Sequence, residues 1–222
     1  MLNLRYQDIV DNMHEYTFHI LGCGAIGSST ATQLVRMGGE NFYLYDMDKV
    51  ESHNIGVSQY NNSDIGLCKV DALRSNMLSI NNSTKIEALN GRFEDEGFYY
   101  QDRNDIVILG FDSMKSRMDA VRIICENRNT KPLAIIDGRM GAEHFQQYII
   151  KNPTINKYAQ VWYTDEEGSS EPCTAKATSY CSNLAGSFIV NGIRKLITGQ
   201  PYNSEFSINL PTLIVEKSKL IS

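Results

Sequence analysis

The chain has no Cys-x-x-Cys pair. Its five cysteines, Cys23, Cys68, Cys125, Cys173 and Cys181, stand apart among 222 residues, which excludes the paired-ligand spacing of a structural zinc site. No block of Lys or Arg occurs and the formal net charge is −5, so nothing marks a nucleic-acid surface. No apolar run is long enough to cross a bilayer. The opening residues MLNLRYQDIVDNMHEY lack the basic start and apolar stretch of a secretory signal. These absences place the chain, as an expectation, in a cytoplasm with its thiols reduced and no membrane partner.

What is present is ordinary for a globular protein: 42% hydrophobic and 21% charged residues, enough chain to bury a substantial core. No internal repeat or low-complexity linker divides it. A single domain over 1–222 is expected, with an N-terminal arm at 1–16, a nucleotide-binding core at 17–140 and substrate-side and closing elements at 141–222.

The arm reads as a polar, helical lead-in. Thr17–Leu21 is a short apolar run that enters a glycine turn, as a buried strand would. Ser28–Met37 has helical spacing, with Ala31, Leu34 and Val35 on one face, and Gly38-Gly39 closes it. Asn41–Tyr45 and Lys85–Leu89 read as strands flanking a helix at Lys69–Ile80. Asp105–Leu109 and Leu133–Ile136 are further strands, separated by a helix at Ser113–Asn127. Strands alternating with helices predict a parallel sheet covered on both faces. Farther on, Phe145–Ile150 and Lys157–Tyr163 read as antiparallel strands. Leu184–Ile197 reads as a closing helix, and Phe206–Ile208 and Leu213–Glu216 as tail strands. The predicted class is α/β: a Rossmann-like, mainly parallel sheet with an antiparallel extension.

Gly22-x-Gly24-x-x-Gly27 lies between the first strand and the first helix. Gly22 permits a tight turn, Gly24 lets backbone approach a phosphate, and Gly27 lets helix pack close to strand. The helix N-terminus then offers N–H groups to an anion. Asp46, just past the second strand, is placed to bind ribose hydroxyls. These features alone suit NAD and ATP equally. The next loop separates them: Asp48 and Asn54, then Ser63-Asp64-Ile65-Gly66 and Lys69. A second acid can help hold a hard cation through oxygen, and a lysine can neutralise phosphate as a point charge. A triphosphate needs both, and a dehydrogenase needs neither.

The spaced set Asp46, Asp48, Val50, Asn54 followed by Ser63, Asp64, Gly66, Lys69 resembles the ThiF/MoeB/ubiquitin-activating enzyme superfamily over roughly residues 5–200. The resemblance implies an ATP- and Mg²⁺-dependent adenylyltransferase. It would activate the C-terminal carboxylate of a ubiquitin-like or sulfur-carrier protein ending in Gly-Gly, and would work as a homodimer. By position, Asp46 would bind ribose, Asn54 and Lys69 would contact the phosphates, and Gln59 would belong to the nucleotide site. Asp112 would complete the Mg²⁺ environment with Asp48, its alternative being the N-cap of the following helix. Arg5, in Arg5-Tyr6-Gln7-Asp8, resembles the start of the segment that lends an arginine to the dimer partner, although Asp8 stands where a second arginine would be. Pro172-Cys173-Thr174 resembles the surroundings of the nucleophilic cysteine, which makes Cys173 the candidate for thioester or sulfur transfer. Arg139 would border the entry of the substrate tail or form an internal salt bridge.

Val57 departs from the pattern, since the family usually has arginine three residues after the Asn. That departure keeps a second expectation open, a non-catalytic partner subunit of the same family. An NAD-binding oxidoreductase is the third.

Overall fold

The computed structural model describes residues 5–96, 104–126, 131–165 and 177–221. The elements, in chain order, are β1 (Thr17–Leu21), α1 (Ala25–Arg36), β2 (Asn41–Tyr45), α2 (Lys69–Ile80), β3 (Lys85–Leu89), α3 (Phe93–Glu96), β4 (Asp105–Leu109) and α4 (Met114–Glu126). They continue as β5 (Ala134–Met140), β6 (His144–Lys151), α5 (Ile155–Ala159), α6 (Ser179–Ile197), β7 (Tyr202–Asn203), β8 (Glu205–Asn209), β9 (Ile214–Lys217) and β10 (Leu220–Ile221). Short 3-10 turns lie at Met13–Glu15, Ser52–Asn54 and Asn62–Asp64.

One sheet runs in the order β3-β2-β1-β4-β5-β6-β8-β9. Its first five strands are parallel, and β6, β8 and β9 join antiparallel. β7 and β10 form a separate antiparallel pair. Every residue of β1 and β4 is buried, as expected for central parallel strands covered on both faces. Phe18 and Ile20 point into the core shared with α1, α2 and α6. Leu21 points to the other face, where α3, α4 and α5 supply Phe93, Met118, Val121 and Tyr158. α6 crosses α1 closely: a Cβ at Gly186 would lie 2.4 Å from Ser29 Oγ.

Polar residues are buried among these apolar ones, His19 and Asp105 at the centre of the sheet. His19, in the middle of β1, is fully buried, stacked on Tyr43 at 5.0 Å, with Nε2 3.3 Å from a carboxylate oxygen of Asp105. Burial lowers its pKa, against the opposing pull of Asp105.

Several boundaries differ from the sequence reading. The first helix begins at Ala25, directly after the glycine turn, because Gly24 itself is the N-cap. β5 continues past Ile136 to Met140, because β6 folds back on it and pairs Asp137 with Tyr148 through to Met140 with Phe145. Residues 5–15 form turns and a single 3-10 turn instead of a helix, tied down by buried Val10 and Met13. Lys157–Tyr163 is not a strand. The Thr154 hydroxyl accepts the Lys157 amide at 3.2 Å and starts α5, and Lys157 Nζ binds the carbonyls of Lys151 and Asn152 at 2.9 and 3.0 Å. Among the described residues no helix is long and apolar enough to cross a membrane.

Candidate active site

The parallel strands end together, and the loops beyond them build the site at their C-terminal edge, where ligands bind in open α/β sheets. Gly22 takes φ +91° and donates its N–H to Tyr45 O at 2.8 Å, tying the end of β1 to the end of β2. Gly110 donates to Leu21 O at 2.7 Å, which ties β4 to the same turn. Gly27 is required by contact, because a Cβ there would sit 1.9 Å from Gly22 O. Gly24 differs from both. It caps α1 without a side-chain hydrogen bond, and a Cβ there would meet nothing within 4 Å.

Asp46 is the hub of the turn. One carboxylate oxygen accepts the Cys23 N–H at 2.7 Å and the other the Asp48 N–H at 2.8 Å. Burial raises its pKa, against Lys69 and these two amides. Lys69 Nζ lies 2.9 Å from Asp48 Oδ2, and the Lys69 amide donates to Asp48 O at 2.9 Å. Burial opposes the charge on Lys69, but the Asp46 and Asp48 carboxylates outweigh it and raise its pKa. Lys69 is thus a cation held at the mouth of the glycine turn. Tyr60, which the sequence reading missed, joins the same parts from beneath. Its hydroxyl is 2.6 Å from Cys23 O and 3.3 Å from Lys69 O.

Asn54 and Gln59 are engaged inside the fold. The Asn54 side chain accepts the Glu51 N–H at 2.9 Å and caps its own turn. Gln59 donates from its side chain to Asn183 of α6 at 2.9 Å. It lines a crevice of about 490 Å³ on the α1 flank with Gln33, Arg36, Asn76 and Asn183. Val57 is half-buried.

Asp112 is exposed after Gly110 and Phe111, at the end of β4. It does not cap α4. The Ser113 hydroxyl accepts the Ser116 amide at 3.3 Å and Asp165 accepts the Met114 amide at 3.0 Å, which leaves Asp112 clear of that duty. Among the described residues no group of three or more His, Cys, Asp or Glu side chains stands together. Asp48 and Asp112 lie beyond the C-terminal ends of β2 and β4 and are carboxylates, the oxygen donor type that Mg²⁺ takes.

Arg139 forms the internal salt bridge. Its guanidinium binds Asp137 at 2.6 and 3.0 Å and Val161 O at 2.8 Å, between the rings of Tyr148 and Tyr163. Asp137 also takes a hydrogen bond from Tyr158 at 2.9 Å and an ion pair from Arg117. Burial alone would raise the Asp137 pKa, but the two guanidiniums hold it below the usual carboxylate range. Arg117 donates as well to the carbonyls of Leu109 and Phe111 and so braces the strand end that carries Asp112. A lone arginine on the apolar face of α4, level with Met114, Met118 and Val121, was the signal for it.

Arg5 is exposed in the turn over residues 5–9. The adjacent Tyr6 hydroxyl lies where a Cβ on Gly38 would meet it at 2.8 Å, beyond the C-terminal end of α1. The glycine turn is at the other end of that 12-residue helix, about 18 Å away. Cys173 falls outside the described residues. The described chain approaches that segment with Asp165 at the start of α4 and leaves it with Thr178 bonded to Ala142 O at 3.1 Å.

Comparison with known proteins agrees with this architecture. The chain is 30% identical over 131 residues to ubiquitin-like modifier-activating enzyme 5 of Caenorhabditis elegans, covering 54% of this chain and 31% of that enzyme. The Oryza sativa subsp. japonica enzyme of the same name is 25% identical over 174 residues, covering 77% of this chain and 37% of that enzyme. The chain therefore spans about a third of the length of these relatives. E. coli MccB, solved with ATP, superposes with a TM-score of 0.74 at 16% identity, over 96% of this chain and 66% of that one. PaaA superposes with a TM-score of 0.73 at 18% identity, over 98% of this chain and 67% of that one. At such identities the likeness speaks for the fold. The sequence model of the ThiF family matches residues 3–220, and the chain belongs to the ThiF family.

Proposed function

We propose that the protein adenylates the C-terminal carboxylate of a ubiquitin-like or sulfur-carrier protein ending in Gly-Gly, using Mg·ATP. The observation that carries this reading is the hydrogen-bonded unit of Cys23, Asp46, Asp48 and Lys69 at the mouth of the glycine turn. It presents a ribose acceptor, a helix N-terminus without a side-chain cap and a fixed cation side by side. Relatives named as ubiquitin-like modifier-activating enzymes and the MccB structure with ATP support the same class.

A carboxylate attacks the α-phosphate of ATP, forms the acyl–AMP anhydride and expels pyrophosphate. The chain's contribution is positioning and charge neutralisation. Asp46 holds the ribose, while the N–H groups that open α1 and the Lys69 ammonium take up phosphate charge. Asp48 and Asp112 would hold Mg²⁺, which neutralises the triphosphate when bound. Arg5, at the far end of α1 from its own glycine turn, serves the site of a second copy in a homodimer. Cys173 then takes the acyl group as a thioester, releasing AMP, or engages in sulfur transfer.

The second reading is a partner subunit that binds nucleotide without turnover. Val57 in place of arginine and the internal bond of Asn54 favour it. ATP–pyrophosphate exchange with Gly-Gly proteins decides. Exchange that is lost in Asp112→Ala supports the enzyme. No exchange from wild type that still binds ATP supports the partner subunit. Undiminished exchange in Asp112→Ala removes Asp112 from the site. A Cys173→Ala chain that still forms a DTT-sensitive conjugate rules out the thioester.

A further inference from the structure

We infer that Tyr60 is a positioning residue, which aims the N–H of Gly24 outward at the nucleotide phosphates. The inference rests on the nucleotide site proposed above. Tyr60 is 4% exposed, its ring set in the core beside α1 and α2. The chain is anchored on either side of it: Gln59 N–H donates to Ser28 Oγ at 3.0 Å and Gln59 O accepts from Asn76 at 3.1 Å, while Asn61 N–H donates to Asp64 Oδ2 at 2.7 Å. The hydroxyl therefore comes from a fixed place, and it reaches Cys23 O at 2.6 Å.

The consequence follows from peptide geometry. The unit joining Cys23 to Gly24 is planar and trans, so its C=O and N–H point in opposite directions. A carbonyl drawn inward by Tyr60 turns the Gly24 N–H outward. The preceding amide is held as well, because the Cys23 N–H is bound by Asp46 at 2.7 Å, so the turn is gripped at two successive peptide units. The Gly24 N–H donates to nothing among the described residues. The space in front of Gly24 is open for 4 Å around a would-be Cβ. An outward N–H at the start of a helix is a phosphate donor. Without the Tyr60 hydroxyl, the buried Cys23 carbonyl loses its partner and the peptide can rotate, carrying oxygen instead of hydrogen toward the phosphates. The bond to Lys69 O at 3.3 Å extends the same grip to the helix that carries the lysine.

Tyr60→Phe keeps the ring and removes only the hydroxyl. The test is ATP affinity of the full chain by titration, in a cycle with Gly24→Pro, which deletes the N–H at issue; φ at Gly24 is −74°, near the angle proline requires. Tyr60→Phe should weaken ATP about tenfold, the size expected for one misdirected hydrogen bond to a charged group. In the Gly24→Pro background it should weaken ATP less than about twofold. Ser58→Ala, which removes another buried hydroxyl nearby, should bind ATP as wild type does. Unchanged affinity in Tyr60→Phe, or the same tenfold loss in both backgrounds, would overturn the inference and leave the nucleotide site standing. Wild type that binds no ATP would overturn both. A measurement on wild type needs no variant to fold: the Gly24 amide proton should shift downfield on ATP binding in NMR, and an unmoved resonance would also overturn the inference.

Discussion

The Cys23 amide nitrogen lies 2.7 Å from a carboxylate oxygen of Asp46, so the turn after the first strand and the acid after the second are one unit. The other Asp46 oxygen holds Asp48 at 2.8 Å. Asp46→Ala should therefore act twice. It removes a ribose acceptor, and it leaves the Cys23 amide without its partner, at a cost of about 1–3 kcal/mol, while water can replace Asp46 at the exposed Asp48 amide. Titration calorimetry should show ATP affinity reduced at least about tenfold, and urea unfolding should show the stability loss. Asp46→Asn, which keeps one acceptor oxygen, should lose less of both.

Lys69 should behave in the opposite way. Lys69 is 12% exposed but its partner Asp48 is 55% exposed, and a pair that solvent reaches on one side contributes about 1 kcal/mol or less. Lys69→Met should leave the melting temperature close to wild type while ATP–pyrophosphate exchange falls to background. A large drop in Tm would mean that Lys69 is structural.

The glycines of the turn should separate in the same manner. Gly27→Ala places a methyl 1.9 Å from Gly22 O, and backbone cannot yield as a flexible side chain can. We expect a destabilisation of about 3 kcal/mol or more. Gly24→Ala meets open space and should fold normally, its deficit confined to nucleotide binding. Thermal unfolding alongside ATP titration distinguishes the two.

These residues were legible because their signal is local. Gly22, Gly24, Gly27 and Asp46 sit at strand ends that short apolar runs reveal, and β1, β2, α2, β3 and β4 fall where their residue patterns place them. What was hidden is held by partners far along the chain. Tyr60 reaches Cys23 over 37 residues, Arg117 reaches Asp137 over 20, and Tyr158 reaches Asp137 over 21. No spacing rule couples such pairs. The Arg139 alternatives stayed open for the same reason, since the choice between a substrate tail and an internal partner depends on where α4 and α5 pack. Lys157–Tyr163 is not the expected strand because the Thr154 cap starts α5 there, and its hydroxyl–amide bond outweighs the strand preference of Val161, Trp162 and Tyr163.

Asp137→Asn tests the ion cluster. It strands Arg117 and Arg139, both nearly fully buried, and breaking such a pair costs about 3–5 kcal/mol. Chemical denaturation should register that loss.

His19 should make the fold acid-sensitive. Its folded pKa lies below the unfolded value of about 6.5, because burial disfavours the imidazolium. For a group with a depressed folded pKa, the stabilisation is complete above the unfolded pKa and declines as pH falls from there through the folded one. Unfolding free energy should decrease below about pH 6.5, and His19→Gln should flatten the curve across that window. Matching curves for the two chains would assign the acid sensitivity to other groups.

The position of Tyr6 against Gly38 has a kinetic consequence. If Arg5 serves a second copy, as proposed above, an arm moored at the far end of α1 makes the encounter of two chains a condition of activity. Specific activity should then depend on protein concentration, falling on dilution as pairs separate. Mixing an Arg5→Ala chain with an Asp112→Ala chain, each inactive alone, should restore up to about a quarter of the wild-type sites, since random pairing puts half the chains in mixed dimers with one intact site each.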